Sequence, residues 1–250
     1  LYAPTNNPFG SSNNFPSCVT FFEERLVFAG TNNDPQKLFF SKAGDFEDMT
    51  TGTNAGDGMS FTIGSDQVNA IKYLKGLRTL LIGTVGGEFV ATASTSAEPI
   101  TPTNIQIKRQ AGYGTSDVDA LLAGNRILFV QRAGKKVREL VFDFDTDGYI
   151  APDLTLLAEH IAGSGVGTGF TNWTYQQEPD SIVWVVRSDG VLTGMTYQRG
   201  ENVVAWHRHI LGGAFSSGNA VVESVAAISN SLASSKGEDS LYMIVKRTIN

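Results

Sequence analysis

The sequence predicts an all-β fold, a β-propeller-like array of short antiparallel meander sheets with about five blade-like repeats. Three observations carry that prediction. The first is the stretch 171–209. Four apolar runs (173–175, 182–186, 191–197 and 203–206) are separated there by Glu178-Pro179-Asp180, Ser188-Asp189-Gly190 and Gly200-Glu201-Asn202. Asp-Gly between β-branched, aromatic-rich runs is a strong hairpin signal, so the stretch reads as a four-stranded meander. The second is an internal repeat with a step of about fifty residues, a blade period rather than a helical solenoid period. Its copies start at Val19-Thr20-Phe21-Phe22, Val68-Asn69-Ala70-Ile71, Val118-Asp119-Ala120-Leu121, Thr171-Asn172-Trp173-Thr174 and Val222-Glu223-Ser224-Val225. The third is a shared pattern after each start. A turn comes first, at Glu24-Arg25, Lys75-Gly76, Gly124-Asn125, Glu178-Pro179-Asp180 and Gly237-Glu238-Asp239. A nearly continuous apolar run comes next (26–29, 80–82, 127–130, 182–186, 241–245), as in strands buried between packed sheets.

In chain order, residues 1–16 read as an extended arm or linker of Pro, Asn, Ser and Gly, and 17–250 as the propeller-like domain. The first unit spans 17–50, followed by a Gly/Thr/Asn loop at 51–58. The second spans 61–92, with 94–103 as linker and 105–110 as a strand closing its sheet. The third spans 118–144, with Ala133-Gly134-Lys135-Lys136 at a hairpin tip. Residues 145–161 form a connector whose segment 154–161, after Pro152-Asp153, is the one helical candidate. A Gly-rich loop at 163–169 leads into the fourth unit, and the fifth runs over 221–249. Within the fourth, Ile182, Trp184 and Val186 are expected on a buried central strand.

Bulk properties narrow the function. A length of 250 residues suits one such domain. The formal net charge of -6 argues against a surface built to bind nucleic acid, which needs a basic patch. The lone Cys18 excludes an internal disulfide. No apolar run approaches the roughly twenty residues that span a bilayer, so no membrane anchor is expected. The chain starts at Leu1 without an initiator Met and stops in mid-pattern, which leads us to expect a piece of a longer protein.

Several constellations could carry chemistry. Asp143, Asp145 and Asp147, followed by Gly148, match the first half of a calcium loop, where alternate carboxylates converge on one cation. The second half departs from it, with Leu154 at the place of the bidentate Glu and Ala151 at an intermediate ligand, so an acidic turn is the default reading. His207 and His209 share one face of a strand, as a metal site would need, but a structural pair is the default for two histidines alone. The 163–169 loop lacks the Lys-Ser/Thr of a phosphate loop. Glu23/Glu24 and Asp45/Glu47/Asp48 could offer a carboxylate pair of the glycosidase kind, against the plainer reading of solvated hairpin tips. No Gly-x-Ser-x-Gly elbow is present. Trp173, Trp184 and Trp206 lie in predicted strands and read as packing rather than sugar stacking. No catalytic residue and no cofactor other than that calcium is assigned.

Taken together, certain residues form a resemblance. They are Phe21-Phe22-Glu23-Glu24-Arg25-Leu26-Val27-Phe28-Ala29-Gly30-Thr31 with Pro35-Gln36-Lys37-Leu38, then Phe61-Thr62-Ile63-Gly64-Ser65-Asp66-Gln67-Val68-Asn69-Ala70-Ile71. Arg138-Glu139-Leu140, Asp147-Gly148-Tyr149 and the run from Pro152 to His160 come next, and Tyr175-Gln176-Gln177-Glu178-Pro179 and Val204-Ala205-Trp206-His207-Arg208-His209 close it. In this order the chain resembles phage and prophage tail proteins similar to the tail nozzle, or tubular protein B, of short-tailed phages. The resemblance implies a non-enzymatic virion subunit, assembled in the bacterial cytoplasm. It also implies a homo-oligomeric ring, a hexamer, that touches other tail proteins and lets DNA pass during ejection without binding it specifically. A carbohydrate- or receptor-binding propeller of an adhesion device is the alternative, which would need exposed aromatics around a pocket. A glycoside hydrolase is a further one, and would need two facing carboxylates.

Overall fold

Turn chemistry sets the strand boundaries. Asp189-Gly190 turns the chain with Gly190 at φ 79°, a conformation that a Cβ would strain, and the flanking β-branched runs pair antiparallel across it. The computed structural model describes residues 8–10, 14–64, 68–95, 97–163, 165, 168–216, 218–229 and 237–249. These fall into two compact units, Leu1–Ser116 with Phe142–Ile150, and Asp117–Val141 with Ala151–Asn250.

The first unit holds two four-stranded meanders. One is β1 (Cys18–Phe22), β2 (Arg25–Ala29), β3 (Lys37–Phe40) and β4 (Met59–Thr62), hydrogen-bonded in chain order. The other is β5 (Ile71–Gly76), β6 (Leu80–Thr84), β7 (Gly87–Thr92) and β8 (Gln106–Ala111), again in chain order. Alternation in β2 sends Val27 and Ala29 inward. In β6 every residue is buried, because this inner strand is covered on both faces. Val27, Leu38, Phe40, Leu74, Leu80 and Ile82 meet in one core cluster drawn from both sheets. Burying each such side chain stabilises by roughly 1.5–3 kcal/mol.

The third sheet is ordered β9 (Leu121–Ala123), β10 (Arg126–Val130), β11 (Val137–Asp143) and β12 (Gly148–Ile150), and residues 142–150 of it group with the first unit. The fourth is the predicted meander, β13 (Phe170–Gln176), β14 (Ile182–Arg187), β15 (Leu192–Gln198) and β16 (Val203–His209). A short pair, β17 (Ala214–Phe215) and β18 (Gly218–Asn219), precedes the last hairpin, β19 (Val221–Ser229) and β20 (Asp239–Lys246). Within the second unit the fourth sheet is covered on both faces. Trp173, Val183, Val185, Met195 and Tyr197 pack with Leu128, Val130 and Val137 of the third sheet. On the other face Val186 and Leu192 pack with Val222 and Val225 of β19. Asn172 Oδ1 and Thr174 Oγ1 accept from the Val225 and Ala227 amides at 2.9 and 3.0 Å along the same seam. The fold is therefore an all-β, propeller-like succession of meander sheets, four of them four-stranded and the last a hairpin among the described residues.

Several expectations shift. Phe61 and Thr62 belong to β4, the closing strand of the first sheet, because Met59 and its neighbours pair with β3 rather than opening the second unit. The third sheet gains β12 from what read as connector. Lys75 and Gly76 are the end of β5, and the turn lies at 77–79, where the Leu77 amide donates to the Thr79 carbonyl. The strand holding Ile182, Trp184 and Val186 is central, but its deepest residues are Val183 and Val185, while Ile182 and Trp184 are half-buried. The helical candidate over 154–161 is a 3₁₀ turn, Glu159–Ala162. Most of the arm 1–16 and part of the loop 163–169 lie outside the described residues.

Candidate functional site

The densest polar cluster sits in the second unit, between its third and fourth sheets. Glu139 stands opposite Leu128 on the inner face of β11, with no exposed surface. A buried carboxylate is costly unless paired. Here Arg126 Nη1, from the start of β10, donates to Oε1, and Arg199 Nε, just past β15, lies 3.0 Å from Oε2. The second contact is close but not aligned as a hydrogen bond, so it neutralises charge without satisfying the lone pair. The Tyr197 hydroxyl, buried beside them, has its pKa raised by burial first and by the Glu139 charge second. Both guanidinium side chains are 30% exposed, so the cluster presents one net positive charge to solvent above a closed core. Its chemistry is that of a tie between two sheets.

A second buried cation serves the first unit. Arg25 Nη1 donates to the Ser41 and Asp57 carbonyls at 2.7 Å each, and Nη2 to the Ala55 carbonyl at 2.5 Å, which fixes the loop between β3 and β4. Burial lowers its pKa, opposed by the charges of Glu23 and Asp57.

The acidic loop singled out in the sequence is a local turn. Asp143 Oδ2 accepts from the Thr146 amide and hydroxyl at 3.2 and 2.9 Å, and Asp147 takes φ 47°. Gly148–Ile150 then leaves as β12 instead of curling back as a second ligand arm. Among the described residues no group of three or more His, Cys, Asp or Glu is placed to hold a metal ion. Glu23 Oε2 accepts from the Ile100 amide at 2.6 Å, Asp45 Oδ1 from the Glu47 amide at 3.2 Å, and Asp48 Oδ2 from Lys42 Nζ at 2.6 Å. These carboxylates hold loops.

Asp48 gives a pH prediction. The Lys42 hydrogen bond, with those from Thr50, lowers its carboxyl pKa from 3.8 to about 2. A depressed folded-state pKa favours folding above the ordinary value and loses that contribution as pH falls through the lowered one. The urea midpoint should therefore drop between pH 4 and 2, by less in Asp48→Asn than in the native chain.

The tryptophans are packed by their rings and spent at their nitrogens. Trp173 Nε1 donates to the Asp119 carbonyl at 2.6 Å, Trp206 Nε1 to the Leu154 carbonyl at 2.9 Å, and Trp184 Nε1 to Gln176 Oε1 at 2.7 Å. Trp206 also stacks on Phe170, with centroids 5.7 Å apart. His207 and His209 do come together. His207 Nδ1 lies 2.7 Å from His209 Nε2, and the His209 ring centroid is 5.0 Å from that of Trp184. The His207 ring lies over Gly194, its cross-strand partner, where a Cβ would come within 2.2 Å of Cε1. Burial, then the neighbouring His209, lowers the pKa of His207.

Two surface features have no local signature in the sequence. A half-open groove of about 300 Å³ in the first unit is lined by Pro8, Lys37, Phe39, Phe40, Met49 and Met59. On β20, Tyr242, Met243 and Ile244 are all exposed, and no charged residue interrupts the strand between Asp239 and Lys246. Among the described residues β20 pairs with β19 alone.

No family model matches the chain, and no curated protein matches it. Among solved structures it is similar to an auxiliary nutrient binding protein from Bacteroides thetaiotaomicron, with 10% identity and a TM-score of 0.49 over 92% of this chain and 52% of that one. It is also similar to human WBSCR16, with 14% identity and a TM-score of 0.48 over 93% and 63% of the two chains. The β-propeller domain of Myceliophteria thermophila Cps50 (Swd1) matches with 8% identity and a TM-score of 0.41 over 92% and 83%. The chain thus spans 52% and 63% of the length of the first two. Strand order and register, not these likenesses, carry the fold.

Proposed function

We propose that the chain is a structural subunit of a phage virion, part of a tail nozzle or tube through which DNA leaves the capsid, and not an enzyme. The observation that carries this reading is the exposed apolar middle of β20, a strand that among the described residues pairs with β19 alone and is held at its start by hydrogen bonds between Asp239 and residues 176–178. Natural sheets blunt their edges with charges, proline or bulges, and an apolar stretch left exposed between them is a surface built to be covered. Tyr242, Met243 and Ile244 form an apolar stretch at 57%, 41% and 61% exposure, set between the charged ends Asp239 and Lys246 and beside a bulge in β19. Repeating one interface around an axis closes a ring, six copies by the family resemblance, and the other tail proteins stack on it. The net charge of -6 fits a conduit wall that does not grip phosphate, since binding by counterion release needs lysines and arginines.

The groove around Lys37, Phe39 and Met49 favours a second reading, a receptor- or carbohydrate-binding module of an adhesion device. One experiment separates the two. Deleting the gene should give DNA-filled or leaking heads that lack a tail tip and do not infect. Particles with complete tails that fail only in adsorption would replace the nozzle reading by the adhesion one. Purified chain should bind duplex DNA no better than other acidic proteins, and tight, salt-dependent binding in a filter assay would count against the conduit.

A further inference from the structure

The histidine pair on β16 has no part in the assembly reading, and its two rings meet through facing nitrogens. His207 and His209 are two residues apart on one strand, so both side chains project from the same face without any loop having to order. Their facing nitrogens, Nδ1 of His207 and Nε2 of His209, are 2.7 Å apart. Both rings are held in place. His207 lies over the bare Cα of Gly194, and His209 packs on Trp184, whose own indole is tied to Gln176. β16 is the outer strand of its sheet, and both histidines are half-buried, so water reaches the pair.

From these observations we propose that His207 and His209 form a two-imidazole site for a late first-row divalent transition ion, copper, nickel or zinc. Such an ion bound about 2.1 Å from each nitrogen at an angle of roughly 90–110° requires them about 3.0–3.4 Å apart, which needs an opening of less than an ångström and a turn of each ring by about 35–45° so that both lone pairs aim at the ion. Without the ion, the two rings share one N–H···N hydrogen bond. On binding, that hydrogen moves to the other nitrogen of its ring, and each imidazole donates a lone pair as the neutral ligand. Among the described residues no third His, Cys, Asp or Glu completes the set, so water fills the remaining positions. Imidazole nitrogen selects for these ions and against calcium and magnesium, which want oxygen. Copper and nickel should bind more tightly than manganese by the general order of divalent affinities.

The test uses the purified chain and the metal salts alone. Trp184 lies 5.0 and 5.9 Å from the two imidazole centroids, so paramagnetic copper or nickel at the site will quench its fluorescence. Copper titration should saturate at one equivalent per chain by quenching and by calorimetry. His207→Gln and His209→Gln should each weaken binding at least tenfold, while His160→Gln, an exposed histidine elsewhere, leaves it unchanged. Should either variant fold poorly, nitrogen NMR of the native chain still decides, because zinc must shift His207 Nδ1 and His209 Nε2 and spare His160. Absence of saturable binding, quenching that survives in both variants, or zinc shifts confined to His160 would overturn the site.

Discussion

Val185→Asp should lower the thermal midpoint by about 10 °C or more, the largest single-site effect expected in this chain. Val185 has no exposed surface, pairs with Trp173 on one side and Thr193 on the other, and packs in the core shared by the third and fourth sheets. A carboxylate there enters a closed apolar cluster, and such burial costs about 4 kcal/mol or more. In a domain of this size each kcal/mol moves the midpoint by about 2–4 °C. Circular dichroism melting measures it directly. Ile182→Asp, on the same strand but half-buried, should cost visibly less, and equal losses at the two positions would contradict the register described.

Replacing both Arg126 and Arg199 by Met should destabilise the fold by about 3–5 kcal/mol, because it strands the fully buried Glu139 without a counter-charge. The carboxylate, not the loss of arginine packing, is the source of that cost. Adding Glu139→Leu to the double variant should therefore recover most of the stability, since an apolar trio of similar volume is often as good as a buried ion triad. Urea denaturation of the native, double and triple chains gives the comparison. A triple variant less stable than the double would show that Glu139 serves some partner besides the two arginines.

The difference between what is and is not legible in the sequence comes from range. Asp189-Gly190 and Gly124-Asn125 act on their immediate neighbours, so the hairpins they close are visible in any short window. The continuous apolar runs at β6, β10 and β14 are likewise local, and these strands lie where the pattern put them. β4 and β12 are hidden for the opposite reason. Each is short and mixed in polarity, and is a strand only because a neighbour offers its edge. The ion cluster is hidden by distance along the chain, since Arg126, Glu139 and Arg199 come from β10, β11 and the turn after β15. Glu139 inside Val137-Arg138-Glu139-Leu140-Val141 is the one available signal, a charge on the buried face of an apolar strand. For the histidines, spacing tells that they share a face; only the space left by Gly194 and the contact with Trp184 bring their nitrogens to 2.7 Å.

Chain order within the sheets also bears on how the molecule is made. Each four-stranded sheet takes its strands from one consecutive stretch and pairs them in the sequence in which they are synthesised. Each pairing therefore joins strands adjacent in the chain, and none waits for a strand from the far end of the chain. On the ribosome the first sheet can complete when Thr62 emerges and the second when Ala111 does, well before β19 and β20 exist. β20 follows the strands of all four of these sheets in the chain, so its apolar row emerges on a chain whose earlier sheets can already have closed.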